Sequence, residues 1–276
     1  MKIILQSFLF FLLCALITSC QKEYLKFGDD VSIVYDKDAQ AFIDSSGISD
    51  STQKFAIYNL VAQLKDSLLW SKFTAIYPVI GGTAATTKWN LKDPRNLDAA
   101  YRITFYGNPV YANTGILFPT ISDFGDTHLN DTGMIFNDNA ISYYSRTQNS
   151  VSGYDMGCLD SKAPFTEMAI YHKDDASDYF GYYKYGYTPS NTIGLFMLSA
   201  TADNIIWYEN GQAKFLSDKP PVFGSTGYPV LLGWVENAPS GGKRECSFAT
   251  IGKGLSGTQA STFYNIVKKF ETILGR

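Results

Sequence analysis

The chain has 276 residues, with 23 basic against 26 acidic side chains and no basic run, which argues against a nucleic-acid partner, since phosphate recognition needs clustered Lys and Arg. Tyr and Phe number 19 each, so aromatic residues must supply much of the core and some of the surface. That length suits a single β-sandwich domain.

Lys2 followed by an apolar run over residues 3–17 reads as a targeting segment, too short to serve as a comfortable membrane span. It ends in Ile17-Thr18-Ser19-Cys20, which resembles the bacterial lipobox, where small residues precede a cysteine whose sulfur receives a diacylglycerol. Residues 1–19 are therefore expected to be a lipoprotein signal peptide, with Cys20 lipidated and anchoring the protein to a membrane. Several acyl chains hold stably where one binds only marginally. Residues 20–30 are expected to be the lipidated Cys and a short polar tether, reaching at most roughly 35 Å when extended. Gln21, rather than Asp, after that Cys matches by resemblance the sorting pattern of the outer membrane, so the expected place is the cell envelope, on the periplasmic or surface face.

Residues 31–276 read as one domain with an N-terminal helical extension. A first short strand is expected over 31–35, and Ser49 to Gln53 offer capping groups ahead of Phe55, Tyr58, Val61, Leu64 and Leu68, spaced as one amphipathic helix ending near Trp70. Beyond Lys88 short runs of Tyr, Phe, Ile and Thr alternate with Gly, Asn, Asp and Pro. Strands are predicted over 101–106, 140–145, 165–171, 179–185, 193–199, 205–208, 213–216, 230–235 and 246–251. Asn210-Gly211 predicts a tight hairpin, because both positions of a type I′ turn take positive φ. Ser256 with Gln259 forms a capping-box pattern, and Phe263, Ile266, Val267, Phe270 and Ile273 give the stripe of a C-terminal helix. The fold class is thus all-β with peripheral helices: an antiparallel jelly-roll β-sandwich with one N-terminal amphipathic helix and one C-terminal helix.

Three segments resemble a known superfamily: Ile205-Ile-Trp-Tyr-Glu-Asn-Gly-Gln, Leu231-Leu-Gly-Trp-Val and Cys246-Ser-Phe-Ala-Thr-Ile-Gly-Lys-Gly-Leu-Ser-Gly-Thr-Gln look like the closing strands of the laminin-G-like and concanavalin A-like jelly rolls. Ile80-Gly-Gly-Thr-Ala-Ala-Thr-Thr-Lys-Trp-Asn-Leu-Lys-Asp-Pro-Arg, Ile141-Ser-Tyr-Tyr-Ser-Arg-Thr and Arg244-Glu-Cys-Ser-Phe-Ala-Thr-Ile-Gly-Lys-Gly-Leu-Ser resemble a group of phage-tail-associated and exported bacterial proteins carrying that domain. Thr87 stands where that group often has a His, so no role of that His transfers. The resemblance runs from about Asp38 to Arg276 and implies a fold rather than an activity, since the superfamily hosts lectins, adhesion modules and glycosidases alike.

Catalytic motifs are scarce. The six Glu are Glu23, Glu167, Glu209, Glu236, Glu245 and Glu271, and no Glu-x-Asp-x-x-Glu strand motif for glycoside hydrolysis is present. Glu167, within a predicted strand, is the one candidate acid, against a plain solvent-facing reading. His128 and His172 are the only histidines, with no nucleophile elbow beside them and too few soft ligands for zinc. Gly81-Gly82 lacks the Lys of a phosphate loop and reads as a turn. Asp123, Asp126 and Asp131, crowded with Asn130, Asn137, Asp138 and Asn139, are candidate calcium ligands or else a solvated loop of Asx turns. Cys158 and Cys246 are either a disulfide pair or two buried thiols.

Aromatic strands carry the binding expectation. Tyr183 and Tyr185 share one face of a predicted strand, and Trp207, Tyr208 and Trp234 sit in others, with Asn210 at a hairpin tip. They either stack sugar rings or fill the core. The expected function is a membrane-anchored lipoprotein whose jelly-roll domain binds a glycan or a cell-surface partner without turning it over. The alternatives are a glycan hydrolase or lyase with an atypical site, and a structural component of an envelope or tail-like assembly. No cofactor is expected beyond calcium.

Overall fold

The computed structural model describes residues 24–27, 31–130, 137–160, 166–172, 189, 191–217, 227–236, 238 and 240–276. The signal segment, Cys20, Asp131 and the predicted strand at 179–185 lie outside them. Two units divide the chain, Met1–Tyr35 and Asp36–Arg276. In the first, β1 (Tyr24–Phe27) pairs antiparallel with β2 (Val31–Val34), so β-prone residues of the expected tether form a strand.

The second unit opens with two helices rather than one. In α1 (Lys37–Ser46) the Asp36 carboxylate accepts from the amides of Asp38 (2.9 Å) and Ala39 (3.3 Å), and Gly47 ends it at φ 70°. In α2 (Ser51–Asp66) Asp50 accepts from the Gln53 amide at 2.8 Å, and Ile57, Leu60, Val61 and Leu64 are buried. Both capping carboxylates satisfy amides that have no partner within the first turn. Leu68, expected on the apolar stripe, lies past the helix end at φ 59° and is 81% exposed.

The strands follow in order: β3 (Phe73–Tyr77), β4 (Thr104–Tyr106), β5 (Val110–Ala112), β6 (Gly115–Leu117), β7 (Phe124–Asn130), β8 (Asn139–Ser145), β9 (Gly153–Asp160), β10 (Thr166–His172), β11 (Gly194–Ala200), β12 (Ile205–Glu209), β13 (Gln212–Ser217), β14 (Pro229–Leu232) and β15 (Cys246–Gly252), before α3 (Gly257–Ile273). They form an all-β sandwich with peripheral helices. One sheet has five strands in the order β10-β9-β14-β7-β4. The other has eight, β13-β12-β11-β8-β15-β6-β5, with β3 also paired to β15. Asn210 and Gly211 turn β12 into β13 at φ 52° and 74°, as a tight hairpin requires.

Between the sheets lie Ile141 and Tyr143 from β8, Met156 and Cys158 from β9, Phe196 and Leu198 from β11, and Val230 and Leu232 from β14. The other face of the eight-stranded sheet is covered by α3, whose Phe263 ring lies 4.8 Å from Phe73 and whose Phe270 lies 5.7 Å from Phe248. Every residue of β11 and β15 is therefore buried, and a strand buried on both faces is apolar along its length rather than alternating. Ser256 and Gln259 form the reciprocal capping box expected for α3. With the helices on one side, the outer face of the five-stranded sheet remains as the large sheet surface not covered by a helix among the described residues.

Cys158 and Cys246 do not form a disulfide. They stand on strands of opposite sheets and are buried thiols packed into the same core, where burial pushes the Cys246 thiol far above its ordinary range. A second polar group sits in the interior. Asp155, the extra residue of a bulge in β9 opposite β10, accepts from His172 Nδ1 at 2.7 Å and from Arg244 at 3.3 Å, all three side chains being 1–2% exposed. A Cβ on Gly242 would lie 1.8 Å from the Asp155 carboxylate, so only glycine lets the chain pass there.

Candidate functional site

Strand β7 alternates Phe124, Asp126 and His128 toward the outside with buried Gly125, Thr127 and Leu129 toward the core. In register across the same face, Tyr106 of β4 stands beside Phe124, Thr104 beside Asp126, and Leu231 of β14 on the other side of Asp126. Two chemically different halves result, aromatic at one end and polar at the other.

In the aromatic half, the Tyr106 and Phe124 rings stack at 4.8 Å and 18°, and Phe124 meets Trp234 at 5.4 Å and 46°. Trp234 follows β14 and donates its indole N–H to the Ala238 carbonyl at 2.9 Å, which fixes the ring plane. Val235, Ala238 and Ala169 form a small buried cluster beneath Trp234, Tyr154 and Leu159. Tyr106 is 45% exposed, while Phe124 and Trp234 are half-buried, so the row is supported from below and reaches solvent at the Tyr106 end.

In the polar half, a pocket of about 600 Å³ is lined by Asp98, Tyr101, Asp126, His128 and Asn130, among others. His128 Nε2 lies 2.7 Å from Thr104 Oγ1 and 3.5 Å from Asp98 Oδ1, while Nδ1 lies 3.8 Å from Asp126 Oδ2. The other Asp126 oxygen accepts from the His128 amide at 2.7 Å. Arg102 donates to Asp98 at 2.7 Å. His128 has φ 57° and Tyr101 φ 59°, both in the left-handed region that residues with a Cβ rarely adopt. At His128 the cause is visible: between the pairs Leu231 with Asp126 and Pro229 with Asn130, β7 has three residues where β14 has one, and Thr127 Oγ1 bonds the Val230 carbonyl at 2.7 Å to hold the bulge. Strain of this kind persists where the surrounding structure over-determines it, and it clusters at ligand sites.

The residues expected from sequence distribute unevenly. Trp234, expected as a ligand-binding aromatic, and Asp126, expected as a calcium ligand, lie along the face of β7 described above. Trp207 and Tyr208 do not: each is 2% exposed, and Tyr208 faces the Leu255 carbonyl beneath α3. Asn210 is a structural turn residue, its side-chain Oδ1 accepting from the Leu195 amide at 3.0 Å. Tyr183 and Tyr185 lie outside the described residues. Thr87 closes a helical turn, donating to the Thr83 carbonyl. Tyr106, Phe124, Asp98 and His128 were missed. The period-2 alternation of Phe124-Gly-Asp-Thr-His-Leu-Asn was the available signal, masked by its Asp-rich surroundings.

Among the described residues no three His, Cys, Asp or Glu side chains come together to hold a metal. Asp123, expected as a calcium ligand, spends its oxygens on backbone and side-chain donors of two loops, accepting from the Asn108 amide at 2.6 Å, the Thr120 amide at 2.9 Å and the Thr120 hydroxyl at 2.7 Å. Burial raises its pKa, but these donors outweigh burial and hold the carboxyl below its usual range. A carboxylate so depressed contributes stability at pH values above its unfolded pKa, and that contribution disappears as pH falls through the folded value. Asp123→Ala is accordingly expected to cost about 2 kcal/mol at pH 7 and less once pH has fallen through the depressed folded value, measured by urea unfolding across pH.

No protein-family model matches the chain, and no curated protein matches it in sequence. Solved structures do. A Trypanosoma rangeli sialidase in complex with sialic acid matches with TM-score 0.50 at 8% identity over 75% of this chain, which spans only 38% of the sialidase. Domain 4 of a GH43 extracellular arabinanase from Geobacillus stearothermophilus, in complex with arabinotriose, matches with TM-score 0.46 at 14% identity over 70% of this chain and 98% of that domain. The sialidase likeness shows a shared β-sandwich fold.

Proposed function

We propose that the protein is a lipid-anchored envelope protein that binds a glycan along β7, on the outer face of the five-stranded sheet, without turning it over. One observation carries the reading: a supported aromatic row, Tyr106, Phe124 and Trp234, continues on the same strand face into a pocket of directional polar groups. Sugar rings present apolar C–H faces and polar edges, and this arrangement offers a partner for each. Outward side chains two apart on a strand repeat at roughly 7 Å, so Phe124 to His128 spans roughly two to three sugar units. Cys20 is the proposed lipidation site and the outer membrane the proposed location, supported by the segment ending Ile17-Thr18-Ser19-Cys20 and by Gln21. Among the described residues no helix is long and apolar enough to cross a membrane. Membership of the concanavalin A-like superfamily is part of the proposal, supported by the closing-strand motifs and the sandwich.

The test is binding of the purified protein to a broad polysaccharide panel while sampling for released sugars. Retention of a polysaccharide without products is the expected result, and no retention of any saccharide would overturn the proposal. The two carboxylates Asp98 and Asp126 beside one pocket favour a second reading, glycan hydrolysis. Product release that disappears in Asp126→Asn would establish it.

A further inference from the structure

Resting on the glycan reading above, we infer that the Asp98, Asp126 and His128 pocket selects saccharides without acidic groups, recognising them through pairs of donating hydroxyls and excluding uronates and other anionic sugars. Ionised carboxylates accept hydrogen bonds and cannot donate them, so a ligand seated here must bring the protons. Hydroxyl pairs of a neutral sugar do so, and charge-assisted bonds of this kind are the stronger sort.

Among the described residues the charges lining the pocket are of the sign that repels an anion. Among the described residues its lining holds two carboxylates and no Lys or Arg. Arg102, the nearby cation, does not line the pocket, and one of its terminal nitrogens pairs with Asp98 at 2.7 Å. His128 faces Asp98 at 3.5 Å, Asp126 at 3.8 Å and the Thr104 hydroxyl at 2.7 Å, so its ring nitrogens are turned toward groups of the protein. The aromatic half adds no charge, since Tyr106, Phe124 and Trp234 supply only ring faces. A uronate carboxylate at the polar end would therefore sit beside like charge with no bidentate guanidinium, which is the group proteins use to recognise carboxylates.

The experiment uses the full-length protein in detergent with neutral hexasaccharides, each paired with its uronate counterpart of the same linkage, titrated by calorimetry at low salt. The expected result is that each bound neutral sugar is preferred over its uronate by about tenfold or more, and that added salt narrows the gap, because the repulsion is screened. In Asp126→Asn and Asp98→Asn, variants that keep side-chain shape and whose melting temperature is checked beside them, the preference is expected to collapse to within about threefold. Equal or tighter binding of the uronates, or a preference unchanged in both variants, would overturn the inference while leaving glycan binding intact. Failure of every saccharide to bind would overturn the glycan reading itself, and the inference with it.

Discussion

Arg244→Ala is expected to destabilise the fold by about 3–5 kcal/mol, because it leaves an aspartate charge in the core with its cation removed. The Arg244 side chain is 1% exposed and reaches three elements at once: Asp155 on β9 at 3.3 Å, the Gly242 carbonyl at 3.1 Å and the Val151 carbonyl at 2.5 Å. Its own carbonyl accepts from the Tyr143 hydroxyl at 2.7 Å. This guanidinium pins the strand entering β15 to the bulge that aims Asp155 at His172. Urea unfolding measures the effect, and the Asp155→Ala, Arg244→Ala double variant should lose clearly less than the sum of the singles, since removing both ions leaves no orphan charge. A loss under about 1 kcal/mol in Arg244→Ala would mean that water or a neighbouring group compensates the aspartate.

A comparable loss, about 3–5 kcal/mol, is expected for Arg276→Ala at the end of the chain. Arg276 donates to the carbonyls of Val79 (2.9 Å), Thr114 (3.1 Å) and Asn113 (3.3 Å), and its Nε lies 3.2 Å from Glu271, whose side chain is 2% exposed. Burial pushes the Glu271 carboxyl up, and Arg276 acts against that shift, with Arg146 at 3.8 Å assisting. Taking Arg276 away raises the carboxyl further. For an acid with a raised folded pKa, stability is present at low pH and is lost as pH rises through the folded value. The deficit of Arg276→Ala relative to the wild type should therefore be larger at pH 7 than at pH 4, and a deficit independent of pH would assign the loss to the carbonyl contacts alone.

The sequence made the periphery of the fold legible and hid the middle. Ser256 with Gln259 and the Phe263, Ile266, Val267 and Phe270 stripe mark α3 because one helix face meets the sheet and the other meets water. Asn210-Gly211 marks its hairpin because positive φ restricts residue choice. The first helix was missed although Asp36 followed by Ala39, Phe42 and Ile43 carries a cap and a stripe, over only 10 residues. The central strands read as apolar runs with no inside or outside, because α3 covers one face and the second sheet the other. That is also why Trp207 and Tyr208 could not be told from surface aromatics in advance.

For the site, composition pointed at aromatics and acids but not at which ones meet. Trp234 and Asp126 were visible as candidates, whereas Asp98 opens a short 3-10 helix 28 positions before Asp126 and reaches His128 only through the tertiary fold. Phe124 and Tyr106 pair through the register of β4 on β7, which no local pattern encodes. Asp123 misled because a carboxylate that ties loops together has the same sequence signature as a cation ligand.

The central claim is that saccharides seat on the row formed by Tyr106, Phe124 and Trp234, and the most direct measurement is oligosaccharide affinity for the wild type, Trp234→Ala and Tyr106→Ala by calorimetry. Each substitution is expected to weaken binding by about tenfold to a hundredfold, as truncation of a supported aromatic anchor does, with the melting temperature of Tyr106→Ala close to that of the wild type because its ring is 45% exposed. Undiminished affinity in both folded variants would contradict it.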